Sequence, residues 1–97
     1  MTTRELRRVG LEGELTIMTA GEQKDRLLTA LEGSAGLRVD LSAVEEIDTA
    51  GLQVLLLAQR EAERLNLAFE LGGSAGSVAA VCALAGLAGT GPAAEEE

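Results

Sequence analysis

The sequence predicts one α/β domain with a mostly parallel four-stranded sheet, an N-terminal hairpin and about three helices. Three observations lead there. Stretches with period-two apolar spacing alternate along the chain with stretches of helical spacing, the order that favours a parallel sheet joined by right-handed crossovers. The length, 97 residues, is enough to bury a single core. Hydrophobic residues make up 46% of the chain and aromatics 1%, so that core is built from Leu, Val, Ile and Ala with Phe69 as its one aromatic.

The opening "RELRRVGLEGELTI" carries Leu6, Val9, Leu11, Leu15 and Ile17 around Gly10 and Gly13, and is expected to form two short strands joined by a glycine-containing turn. In "TAGEQKDRLLTALEGSAG", Thr19 precedes Glu22 by the capping-box spacing. Leu27, Leu28 and Leu31 then mark the apolar stripe of a helix that Gly33 ends. "LRVDLS" alternates Leu37, Val39 and Leu41, a strand with one face on the core and Asp40 on the other.

The next segment is ambiguous, because Ser42 and Glu45 also have capping-box spacing and would start a helix running to Leu65. Such a helix would be about 36 Å long at about 1.5 Å per residue, longer than a domain of this size is wide. The helix is therefore expected to start at "IDTAG", where Asp48 and Thr49 are both good N-cap residues. From there Leu52, Leu55, Leu56, Ala62 and Leu65 follow helical spacing, and Val54, Leu57 and Ala58 widen the stripe until most of the helix is covered. "LAFEL", Leu67 to Leu71, reads as a strand and Gly72–Gly73 as a turn. Ser74 or Ser77 would cap a third helix over "VAAVCALAGL". The folded domain is expected to span residues 1–88, with 89–97 a disordered acidic tail ending in three glutamates.

Charge and chemistry narrow the function. The net charge is −8 and Lys24 is the only lysine, which opposes a nucleic-acid backbone or an anionic membrane surface and favours a protein partner. No apolar run approaches the roughly 18 residues of a membrane span, and "MTTRELRRVG" lacks the apolar core of a signal peptide. The expected location is cytoplasmic, without membrane insertion. With no histidine, no tyrosine, no phosphate-binding glycine loop and no paired metal ligands, an enzyme is not expected, nor any cofactor or metal. Cys82 has no partner for a disulfide and reads as a small core hydrophobe. A receiver domain phosphorylated on Asp40 would need an early acidic pair and a late lysine, and neither is present.

"LRVDLSAVEEIDTAGLQVLLLAQREAERLNLAFELGG" resembles the STAS domains, the family of anti-sigma factor antagonists and sulphate transporter tails. The features that carry the likeness are a strand ending in Asp-Leu-Ser, a short loop, and then Asp, a hydroxyl residue, any residue, Gly and Leu opening a helix. "LEGELTIMTAGEQKDRLLTAL" is similar to the family's hairpin and first helix, so the resemblance covers about residues 5 to 88.

It implies a non-catalytic partner switch in which Thr49 is the phosphorylation site. The unmodified domain would bind a kinase-like anti-sigma factor, that kinase would release it by phosphorylation, and a phosphatase would reset it. Asp48 would cap and orient the helix start. Ala50 and Gly51 would give access to the hydroxyl, Leu52 would complete the partner-binding segment, and Asp40 would shape its electrostatics. "DTAGL" also resembles the STAS subunit of the bacterial lipid-asymmetry ABC transporter, where the partner would be an ATPase subunit, and the short STAS proteins encoded with chemotaxis genes.

Overall fold

The computed structural model describes residues 6–73, as β1 (Arg7–Leu15), α1 (Ala20–Leu31), β2 (Gly36–Ile47), α2 (Thr49–Arg64) and β3 (Ala68–Gly72). The expected third helix and the acidic tail lie outside these residues. The three strands form one parallel sheet in the order β1-β2-β3. Two successive right-handed crossovers that add strands in the same direction place both helices on the same face. Accordingly Leu27 and Leu31 of α1 share one core with Val54, Leu55, Ala58 and Ala62 of α2 and with Val9, Leu11, Val39 and Leu71 of the sheet.

The opposite sheet face is polar. Arg8, Arg38 and Glu70 stand side by side across the three strands, with Arg38 and Glu70 in an ion pair of 2.7 Å. Along the first half of β2 this is the in–out alternation of a sheet buried on one side.

The expected hairpin does not form. Arg7–Leu15 is a single strand, so the described residues hold three strands rather than four. Its glycines sit where the ladder with β2 slips rather than at a turn: the register shifts between Gly10 and Glu12 and again between Gly13 and Glu14, each time giving β2 an extra residue. Gly13 adopts φ 73°, open to glycine at little cost.

The first helix starts where expected, but Thr19 makes no capping bond to it. Its Oγ1 donates instead to the carbonyl of Glu14 at 2.9 Å, tying the helix start back to the end of β1. Ile17 is also not a strand residue: it lies in the β1–α1 loop and is 70% exposed.

Candidate functional site

The carboxyl ends of β1 and β2 meet at Leu15 and Ile47, the last pair of their ladder. In α/β sheets this end, from which the strand-to-helix loops depart, is where binding sites are built. The next residue, Asp48, continues the ladder by donating its N–H to the Leu15 carbonyl at 3.3 Å. Its φ of −124° and ψ of −173° keep it extended, and α2 begins one residue later.

The Asp48 carboxylate joins two elements. Oδ1 accepts the N–H of Gly51 at 3.0 Å, the capping bond of α2, and Oδ2 accepts the N–H of Ile17 from the β1–α1 loop at 3.1 Å. Both bonds favour the charged form, so the carboxyl is held below its ordinary value of 3.8, first by Gly51 and then by Ile17.

Gly51 is buried against β1. A Cβ there would overlap the Leu15 carbonyl oxygen and lie 2.7 Å from the carbonyl carbon and 2.9 Å from Leu15 Cγ. Its missing side chain is therefore required by packing, and it bears on access only through where it sets the helix. Leu52 is half-buried and packs against the core, and Ala50 is half-buried beside it.

Thr49 is different. It is the first residue of α2 and exposed, and among the described residues its hydroxyl takes no part in a hydrogen bond, since Asp48 does the capping. Of the two residues suited to capping in the sequence, one is fully used by the fold and the other is left over.

Asp40 is not brought to this place. It lies mid-strand in β2, paired with Gly10 and Gly72, and seven residues before the strand's end, roughly 20 Å at about 3.3 Å per residue. Its Oδ1 accepts the Ser42 N–H at 2.9 Å, and the Ser42 backbone and hydroxyl hold its carboxyl below the ordinary value. Asp40 therefore belongs to a separate polar patch with Arg8, Arg38 and Gly73.

Two features of the Thr49 end were not read from the sequence. Ile17 and Met18 are 70% and 83% exposed in the loop held to Asp48, forming an apolar tip next to the helix start. A groove of about 420 Å³ also opens between α1 and α2, with Ala20, Ala50, Val54 and Leu57 among its walls. Leu57 is 43% exposed there, so α2 is less covered than its apolar content suggested. Two adjacent large apolar residues just before a helix start were the available signal for the tip.

Among the described residues, no three His, Cys, Asp or Glu side chains are grouped to hold a metal ion. None of the described helices is long and apolar enough to cross a membrane. The arrangement provides an exposed hydroxyl on a rigid helix start, flanked by apolar surface.

Comparison with known proteins places this geometry. No curated protein sequence matches the chain. A serine-to-glutamate variant of RsbS from Moorella thermoacetica is 34% identical, covering 82% of this chain and 69% of its own, with a TM-score of 0.68. The anti-sigma factor antagonist SpoIIAA in its unphosphorylated form is 21% identical, with coverage of 95% and 80% and a TM-score of 0.68. The STAS domain of a SulP transporter from Vibrio cholerae is 22% identical, with coverage of 89% and 67% and a TM-score of 0.67. These last two likenesses concern the fold. The family described as "Mlab, STAS domain" matches residues 2–92. The chain belongs to the STAS domain family.

Proposed function

We propose that this domain is a non-catalytic regulatory module that binds a protein partner through the start of α2 and is switched by phosphorylation of Thr49. One observation carries the reading: Thr49 is exposed at the first position of the helix with an uncommitted hydroxyl, while the neighbouring Asp48 and Gly51 hold the fold. A phosphate there adds about −1.5 to −2 charges at a helix N-terminus, which tolerates negative charge. It thus alters the surface without unfolding what lies beneath. The partner in this reading is a kinase-like anti-sigma factor or another regulatory kinase, and a phosphatase removes the phosphate.

A second reading is an accessory subunit docked on the ATPase of a lipid-transport ABC transporter. It is favoured by the description of the matching family. Pull-downs from source cells with wild-type and Thr49→Glu baits separate the two. Capture of an anti-sigma or chemotaxis kinase by wild type alone supports the switch. Equal capture of an ABC ATPase by both baits refutes a regulatory Thr49 and makes the protein a transporter subunit.

A further inference from the structure

We infer that the groove between α1 and α2 seats an amphipathic helix of the partner, apolar along one stripe and acidic along its edges. The inference rests on the reading that this end of the domain binds a protein, and it specifies that partner's chemistry. Five small or aliphatic side chains, Ala20, Ala50, Val54, Leu56 and Leu57, give the groove an apolar wall. The charged residues lining it are Lys24 and Arg60, both cationic, in a chain with 16 acids and 8 bases. Neither forms an ion pair among the described residues, although the same chain pairs Arg38 with Glu70 and Arg64 with Glu61. A basic rim on an acidic protein selects an acidic ligand and repels a second copy of the protein.

The groove's dimensions also suit a helix. It follows α2 from Ala50 to Arg60, about 15 Å at about 1.5 Å per residue, or three turns of a partner helix. One end is formed by Ala20 and Ala50, next to the starts of α1 and α2, and the cationic charge lies along the rim at Lys24 and Arg60. Thr49 shares a stripe with Gln53, Leu56 and Arg60, at i, i+4, i+7 and i+11. A phosphate on Thr49 would therefore add negative charge, beside that of Asp48, at the end nearest the helix starts and repel the partner's acids there, which gives the switch a mechanism.

The test is photo-crosslinking in source cells, with benzoylphenylalanine replacing Leu57 in the full chain and, as a control, replacing Glu70 on the opposite sheet face. The expected adduct joins position 57 to an acid-rich segment of another protein with apolar residues at i and i+4. Its yield should fall at least tenfold in a Lys24→Glu, Arg60→Glu double variant that melts like the parent. Adducts to a second copy, to lipid or to a net basic segment overturn the inference, as does no adduct at position 57 or a yield indifferent to charge reversal. Thr49→Glu separates it from the reading it rests on. If charge reversal abolishes the adduct and Thr49→Glu does not, the groove stands and the switch fails. If only Thr49→Glu abolishes it, the switch stands and the groove is wrong.

Discussion

Gly51→Ala should destabilise the domain severely, although in most helices the same change is favourable by about 1 kcal/mol. The reason is what lies opposite. The new Cβ would overlap the Leu15 carbonyl oxygen and sit 2.7 Å from its carbon, where ordinary contact begins at 3.4 Å. Backbone cannot rotate away as a side chain would, so the start of α2 must retreat from β1 by at least about 0.7 Å, the difference between those distances. Such a retreat stretches the 3.3 Å bond from Asp48 N–H to the Leu15 carbonyl and the 3.1 Å bond from Ile17 N–H to the Asp48 carboxylate beyond hydrogen-bonding range.

Overpacking against a rigid neighbour costs about 3 kcal/mol, the upper part of its usual range. The lost backbone bond adds about 1 kcal/mol, the exposed bond to the Asp48 carboxylate is replaced by water, and the gain in helix propensity returns about 1 kcal/mol. The net loss is about 3 kcal/mol, out of the roughly 5–15 kcal/mol that stabilises a typical domain. In a domain this small it lowers Tm by roughly 12–24 °C. Urea and thermal denaturation followed by circular dichroism measure it directly. A variant within about 0.5 kcal/mol of wild type, or more stable, would refute the claim that Gly51 is held by close approach to β1.

Thr49→Glu should leave Tm unchanged or raise it, because an acid in the first turn of α2 is stabilising by about 0.3–1 kcal/mol, while partner binding is lost. Thermal melts and pull-downs on the same preparation check both halves. Leu55→Ala, at a site with 0% exposure between helix and sheet, should cost about 2–5 kcal/mol by urea titration. For Asp48 the sign follows from its lowered carboxyl. Stability from its two bonds is fully present above the unfolded value of 3.8 and is lost as pH falls through the lower folded value. The urea midpoint should therefore drop between about pH 5 and pH 2. In Asp48→Asn that acid-side drop should be shallower, since the amide does not titrate, and stability at neutral pH should be lower, since it turns a donor toward Ile17 or Gly51.

The sequence made the order from α1 onward legible because period and turn chemistry agree there: Leu37, Val39 and Leu41 alternate, Asp48 caps, and the helix runs to Arg64. Its least legible stretch was the second half of β2. There the buried or half-buried apolar residues are Leu41, Val44 and Ile47, three apart, a helical spacing produced by the two bulges against β1. The capping-box spacing of Ser42 and Glu45 reinforced the wrong impression, and only length argued against it. The same bulges hid the role of Gly10 and Gly13, since a glycine that eases a slipped ladder and one that makes a turn look alike in sequence. Of the site, Asp48 was legible as the cap and Thr49 as its neighbour, but not that the Asp48 carboxylate also holds the loop at Ile17. Asp40 was grouped with them because the strand was expected to end at Asp-Leu-Ser, whereas β2 runs on to Ile47 and keeps the two acids apart.

Once Asp48 is the cap, the pair becomes asymmetric in a way that suits a switch. Its carboxylate is anchored on both oxygens, by Gly51 from the helix and by Ile17 from the loop, so an added anion next door is not free to replace it. Two negative groups on adjacent residues repel, and only one of them can move. A phosphate on Thr49 would thus be driven away from Asp48 and toward solvent, at the start of α2. The cap that keeps α2 in place would then also turn the new charge outward, as the proposed switch requires. Removing the cap with Asp48→Ala should therefore weaken the contrast between phosphorylated and unphosphorylated forms even at temperatures where the domain stays folded.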